Sequence, residues 1–443
     1  MKKIILTLLT LAIALNVQAK QIKNNFETVI KDSGVDMESI SVSIKNVNNG
    51  KTVYSLNDKM LMSPASVQKI LTTPVALETL GEDYEFSTEI YSRGNSAYII
   101  KLAADPYLKS SDLKSLLQKV TPEAKQIYID DSIVDSKTWG EGWQWDDDMN
   151  ILMPRFGAYN LDKNIIKLTV MPPTNGQFAT IINPSKYPLV FFNNVTQGNK
   201  TSVSVQRDNS ISANTLVLKG TVARPTIIQI PTNNLKRYFD IQLTRALENK
   251  KIYLKNYGTS SKVSSSDVLL TKVSHKISPA ASDILKNSNN LVSETIFKLA
   301  GAKHCGLKTG SDTAGLKMFN DYCKKNNLDN SRIRMTDASG VSKNNLISAD
   351  FVTSFLILNK DNKILTKLPS PGEGTLTHRM LPIKENLKAK TGTLSDISSI
   401  AGFLTSRSGK KYAFCIISND MKLSSSDKKM LEDFILREAY LKL

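Results

Sequence analysis

Ser66-Val67-Gln68-Lys69 sets a hydroxyl and an amine three positions apart. On a helix that spacing puts both side chains on one face, so the amine reaches the hydroxyl. A neutral, desolvated lysine can take a serine proton, and burial with nearby positive charge brings a lysine pKa down to roughly 7–8. The chemistry on offer is therefore that of an activated serine nucleophile. The spacing alone is common: Ser111 with Lys114 and Ser408 with Lys411 repeat it. Ser66 is set apart by its apolar neighbours, which can half-bury the pair. A second stretch, Ser288-Asn289-Asn290, offers a hydroxyl able to relay a proton and an amide able to bond a peptide. Taken alone it reads more readily as a polar capping loop, because Ser and Asn are the usual capping and turn residues. The third stretch is Lys390-Thr391-Gly392-Thr393. Its lysine supplies a fixed positive charge for a carboxylate, its threonines add hydroxyl donors, and Gly392 admits close approach of another backbone. Lys308-Thr309-Gly310 imitates it but precedes a helical pattern instead of lying on a strand.

The elements that must position these residues are legible in outline. Ile40, Val42 and Ile44 alternate with polar residues, Asn49-Gly50 turns the chain, and Val53, Tyr54 and Leu56 return, which predicts a hairpin. Ser63-Pro64 predicts a helix start carrying Ser66 and Lys69, with an apolar side of Val67, Ile70, Leu71, Val75 and Leu80 and a stop at Gly81. Pro74 predicts a kink inside it. From about 86 to 235 the chain reads as short β-rich segments such as Gln126–Val134 and Ile165–Val170. Helical patterns return near Asp240–Asn249, Ser278–Lys286 and Leu291–Leu299. The chain ends in strands Leu387–Leu394, Ser399–Thr405 and Tyr412–Ser418, then a helix capped within Ser424–Asp427. The N-terminal hairpin and this meander are expected to join in one antiparallel sheet.

Composition bounds the rest. In 443 residues, 41% are hydrophobic and 22% charged, which excludes disordered, collagen-like and coiled-coil chains and leaves room for two or three domains. The formal net charge of +17 is scattered, so it favours anionic partners without choosing among wall polymer, membrane surface and nucleic acid. Lys2 and Lys3, the apolar run Ile4–Leu15 and the small-residue end at Val17-Gln18-Ala19 read as a signal peptide over 1–19. Export to the periplasm is expected, as a soluble chain or one touching a membrane peripherally by charge. Export also disfavours nucleic acid. His275, His304 and His378 share no metal-ligand spacing with one another or with Cys305, Cys323 and Cys415, so no metal and no cofactor is expected. A Cys305–Cys323 disulfide stays open, and Cys415 reads as a core residue.

Ser-x-x-Lys, Ser-x-Asn and Lys-Thr-Gly in this order form the signature set of active-site serine penicillin-recognising enzymes. Pro64-Ala65-Ser66, Ala104-Asp105-Pro106, Gly142–Asp147, Asp337-Ala338-Ser339-Gly340 with Asn345-Leu346, and Ala401-Gly402-Phe403 extend the likeness over nearly the whole chain. It is thinnest from about 165 to 235. The sequence resembles the class C low-molecular-mass penicillin-binding proteins, the D-alanyl-D-alanine carboxypeptidase/endopeptidase family of the penicillin-binding protein 4 type. The resemblance implies a mixed α/β (α+β) fold with a serine β-lactamase/DD-peptidase-like transpeptidase domain, an antiparallel sheet flanked by helices, and inserted β-rich modules. The peptidase domain is expected over 20–85 and 236–443, with the insertion over 86–235 holding one or two nested modules.

The resemblance further implies Ser66, Lys69 and Ser288 as catalytic residues. It implies Asn290, Lys390, Thr391, Gly392 and Thr393 as substrate-binding, with backbone N–H groups of Ser66 and Thr393 as the oxyanion hole. Asp147, in the Trp145-Asp146-Asp147-Asp148 segment, is the nearest match to an acidic residue that binds a peptide side-chain amine, with a solvated acidic turn as the equal alternative. The substrates would be peptidoglycan peptides and cross-links, with β-lactams as covalent inhibitors; oligomeric state stays open. The alternatives are a serine β-lactamase or esterase on a similar fold, against which the long insertion argues, and a non-catalytic wall-binding scaffold. By the resemblance, a glycine is usual where Ala104 stands and a plain helix former where Pro74 stands. His378 is expected to be a polar surface or supporting residue, and the Asp337–Gly340 segment a tight turn.

Overall fold

A computed structural model describes residues 24–254 and 256–443. The signal-peptide reading over 1–19 lies outside the described residues. The chain divides into two compact units, one formed by residues up to Thr79 with Pro279–Asn289 and Gly315–Leu443, the other by Leu80–Ser278 with Asn290–Ala314.

The first unit is built on a five-stranded antiparallel sheet. Its order is Leu387–Leu394, Ile397–Thr405, Lys411–Ser418, Ile40–Asn46 and Thr52–Leu56. The hairpin and the C-terminal meander thus meet, with Ile44 opposite Phe414 and Gly392 opposite Ser399. Ile40, Val42, Ile44, Phe414, Ile416 and Ile400 pack with Phe26, Ile30, Leu431, Ile435 and Leu436 in one apolar cluster. The alternating serines do not face water. Ser41 and Ser43 are fully buried, and the Ser43 hydroxyl lies 2.9 Å from that of Thr353 on helix Ala349–Leu358. Both sheet faces are therefore covered, and small hydroxyls stand where a half-solvated strand would carry larger polar groups.

The helix bearing the chemistry starts later than the sequence suggests. Ala65–Gln68 is a single 3-10 turn and the α-helix runs Lys69–Leu80. Ser63 does not cap it: its hydroxyl is buried and finds no partner among the described residues. The tighter turn helps the pair, because residues three apart eclipse in 3-10 geometry. Every residue from Val67 to Leu77 is buried, the polar Gln68, Lys69, Thr72 and Thr73 included, so the burial extends beyond the apolar side that the sequence shows. Pro74 sits inside it and cannot donate to the Ile70 carbonyl.

The second unit holds a five-stranded sheet, ordered Asn256–Ser260, Gln126–Asp130, Ala97–Lys101, Glu85–Arg93 and Val268–Lys276, and two three-stranded sheets. Helices Ser110–Leu116, Leu235–Glu248 and Asn290–Cys305 belong to it. Ala104 holds φ +52°, the left-handed conformation that explains why glycine suits this position. Asp105 beside it is buried and lies 2.5 Å from His275 Nδ1. All three cysteines are free thiols, so Cys305 and Cys323 do not pair. Among the described residues no helix is long and apolar enough to cross a membrane, and no cluster of metal-ligating groups occurs.

Candidate active site

Ser66 sits in the 3-10 turn, half-buried, directly after Ala65 at φ +45°. A left-handed alanine costs about 1–3 kcal/mol and persists only where its surroundings enforce it. The enforcing partner is the Asp337–Gly340 turn. Gly340 has φ +79°, and a Cβ there would collide with the Ala65 carbonyl. The Asp337 carboxylate accepts from the Gly340 and Ser342 amides, each at 2.7 Å, and from Asn345 Nδ2 at 2.8 Å. Buried Gln68 donates to the Asp337 carbonyl and to Asn345 Oδ1, and Thr72 Oγ1 donates to the Ala338 carbonyl at 2.8 Å.

This framing fixes the amine. Lys69 is fully buried, and its Nζ donates to Ser66 Oγ at 2.9 Å and to the Ser339 carbonyl at 2.6 Å. The first contact is the one that the spacing predicts. The second is a backbone acceptor that no side-chain pattern reveals; the Asp337–Gly340 stretch announces a turn, but not what the turn touches.

The Leu387–Leu394 strand lies at the sheet edge, so one side of it has no strand partner. Ser399 Oγ on the adjacent strand donates to the Pro64 carbonyl at 2.6 Å, tying the sheet to the serine turn. At Gly392 the approach is closest: a Cβ there would lie 2.8 Å from both the Pro64 carbonyl oxygen and the Ser66 amide nitrogen. Thr393 is exposed, one residue further along.

Lys390 differs from the fixed positive charge that its place in the Lys-Thr-Gly stretch predicts. It is fully buried, and its Nζ donates to the Thr391 carbonyl at 2.7 Å. Burial, and then the charge of Lys69, hold the Lys390 amine well below its ordinary value. The strand thus presents a buried amine electrostatically coupled to the amine beside the serine.

Ser288 is half-buried at φ +57°, in the loop after helix Ala280–Leu285. Its loop is linked to the strand through residues 373–376. Lys286 Nζ reaches both Glu373 oxygens at 3.1 Å, the Lys286 carbonyl accepts from the Thr375 amide at 3.3 Å, and Thr391 Oγ1 donates to Thr375 Oγ1 at 2.7 Å. Thr375 is a positioning contact that the sequence did not flag. Ser66, Lys69, Ser288, Lys390, Thr391, Gly392 and Thr393 all belong to the first unit.

Asn290 and Asp147 belong to the second unit. Asn290 opens helix Asn290–Cys305, is buried, and donates to the Leu152 carbonyl at 2.7 Å. Asp147 is half-buried in the 3-10 turn Trp145–Met149, while its neighbour Asp148 pairs with Arg207 at 2.9 Å. The imitation at Lys308-Thr309-Gly310 serves a local role in the second unit: Thr309 Oγ1 donates to the Ser132 carbonyl, and the Gly310 amide to that of Ile133. His378 is exposed, and Arg379 next to it pairs with Glu432 at 2.8 Å and Asp433 at 2.5 Å.

Comparison with known proteins agrees over the whole fold. A model of the D-Ala-D-Ala carboxypeptidase 3 (S13) family matches residues 22–438. The chain is 24% identical over 422 residues to the D-alanyl-D-alanine carboxypeptidase DacB of Haemophilus influenzae, covering 87% of this chain and 86% of that one. It is 24% identical over 449 residues to a D-alanyl-D-alanine carboxypeptidase of Actinomadura sp., covering 92% and 83%. The crystal structure of penicillin-binding protein 4 from Haemophilus influenzae superposes with a TM-score of 0.81 at 23% identity, over 94% of this chain and 99% of that one.

Proposed function

Because the chain belongs to the D-Ala-D-Ala carboxypeptidase 3 (S13) family, we propose that it is a serine D-Ala-D-Ala carboxypeptidase and DD-endopeptidase of peptidoglycan, working through an acyl-enzyme on Ser66. Lys69, as the neutral amine, accepts the Ser66 proton along the 2.9 Å line that joins them. The alkoxide attacks the carbonyl of the penultimate D-Ala, and the backbone N–H groups of Ser66 and Thr393 receive the developing oxyanion. Ser288 relays a proton to the leaving amine, Asn290 bonds the peptide, and water releases the acyl group. A terminal D-Ala as leaving group makes the reaction a carboxypeptidase. A cross-linked side-chain amine makes it an endopeptidase, with Asp147 as the candidate recogniser of that amine.

Lys390 enters differently than an open cation would. Buried and beside Lys69, its amine disfavours charge in the free chain. A substrate carboxylate reaching the edge strand supplies the missing countercharge, and Lys390 then holds it as ammonium, with Thr391 adding a hydroxyl. β-Lactams enter by the same attack and acylate Ser66. The site is read as exported, facing the wall in the periplasm.

One observation carries this reading: a fully buried lysine amine 2.9 Å from a half-buried serine hydroxyl, with Gly392 packed against that serine's backbone. A fluorescent penicillin should label the wild type, the adduct should map to Ser66 by peptide mass, and Ser66→Ala should abolish it. An unlabelled wild type points to a wall-binding scaffold; rapid drug turnover points to a β-lactamase. Mass analysis of wall fragments after incubation separates the two peptidase activities, because shortened cross-linked dimers with intact pentapeptides would remove the carboxypeptidase assignment.

A further inference from the structure

The second unit contains a cavity of about 550 Å³ whose lining comes wholly from that unit. Three guanidinium groups line it, those of Arg155, Arg207 and Arg237, against one carboxylate, Asp148. Arg207 is already committed. Its Nε pairs with Asp148 at 2.9 Å, and its other nitrogens donate to the Ala213 carbonyl at 2.5 Å and the Pro231 carbonyl at 3.0 Å. Among the described residues the remaining two cations have no carboxylate partner. Arg155 is half-buried, its Cζ lies 5.1 Å from the Trp139 ring centroid, and it pairs with no carboxylate among the described residues. Burial and the neighbouring Arg207 both disfavour its charge, with Asp148 as the opposing influence.

Arg237 is exposed and stands in the first turn of helix Leu235–Glu248, a 14-residue helix capped by Asn234. A cation there opposes the helix dipole, so the cavity combines two unpaired arginines with the positive end of a helix. Fork-shaped donors of this kind match planar carboxylates. Trp145 also lines the cavity and is 81% exposed, an apolar face beside a polar site. Such an aromatic face suits the stacking of a sugar ring.

We propose that this cavity is a carboxylate-binding subsite that grips the carboxylate-bearing stem peptide of a muropeptide, with the sugar against Trp145. The proposal rests on the reading of the chain as a peptidoglycan hydrolase, and it adds a second hold on the polymer. That hold favours polymeric over minimal substrates.

The test titrates the full chain, first acylated with penicillin to occupy Ser66, with a soluble N-acetylmuramyl tetrapeptide in a calorimeter. Binding is expected, weakening with added salt, and falling at least about tenfold in Arg155→Gln and in Arg237→Gln. Penicillin acylation rates should be unchanged in both variants. The exposed position of Arg237 keeps the test open should Arg155→Gln fold poorly. Equal binding by wild type and Arg237→Gln overturns the proposal, as does equal binding of the peptide with its carboxylates amidated. Tighter binding of inorganic phosphate than of the muropeptide overturns it in favour of a phosphate polymer. If penicillin fails to label Ser66 yet the unacylated chain binds the muropeptide through these arginines, the enzyme reading falls and the subsite stands.

Discussion

Lys69 and Ser339 meet across 270 positions of sequence, the amine of one donating to the carbonyl oxygen of the other at 2.6 Å. The contact turns the Asp337–Gly340 turn into part of the serine site. It holds the amine by a backbone group while leaving the Ser66 hydroxyl in reach at 2.9 Å.

If Lys69 is the base, Lys69→Ala should slow acylation by a fluorescent penicillin about 10²–10⁴-fold, the usual range for losing a positioned acid–base group. Adduct formation followed over time is the measurement. A change below about threefold would assign proton removal to another group.

The turn makes its own prediction. Gly340→Ala must place a Cβ against the Ala65 carbonyl and hold alanine at φ +79°. A loss of about 2 kcal/mol or more in denaturant unfolding is expected, with slower acylation of whatever remains folded. Wild-type stability and labelling would show that the turn does not brace the serine.

Gly392→Ala tests the strand. Its Cβ would meet the Pro64 carbonyl and Ser66 amide, both backbone and both 2.8 Å away, besides the Ser399 hydroxyl. Acylation should fall at least about tenfold. Because the backbone contacts remain, adding Ser399→Gly should not restore it. Recovery in the double variant would put the obstruction in the side chain alone.

Lys390 separates stability from activity. Its amine is depressed in the folded chain, so the unfolded chain binds its proton more readily. Stability from this group is therefore lowest at pH below the folded value and rises with pH toward the ordinary lysine range, where the unfolded amine also becomes neutral. Lys390→Met should flatten that rise and leave stability equal or up to about 2 kcal/mol higher, while weakening recognition of carboxylate-bearing substrates. Unfolding free energy across pH 7 to 10, beside the KM of a D-Ala-D-Ala peptide, checks both halves. A destabilisation above about 1 kcal/mol would mean that the amine is held charged and well paired.

Much of this was legible because side-chain spacing survives in sequence. The pairing of Ser66 with Lys69, the close approach at Gly392 and the joining of Ile40–Asn46 to Lys411–Ser418 each follow from residue type and position. Three features did not follow. The Ser339 acceptor is a peptide carbonyl, which every residue possesses. Lys390 reads as a fixed positive charge because lysine usually carries one, yet its burial disfavours that charge. Ser41 and Ser43 read only as the polar positions of an alternating strand, and the contact of Ser43 with Thr353 is not visible in that pattern. Each depends on which distant segment packs where.

A peptide carbonyl neither gains nor loses a proton between mild acid and mild alkali. The anchor that Ser339 provides is consequently indifferent to acidity. Because a carbonyl accepts from an ammonium as well as from a neutral amine, the anchor persists when the proton proposed to leave Ser66 arrives on Lys69.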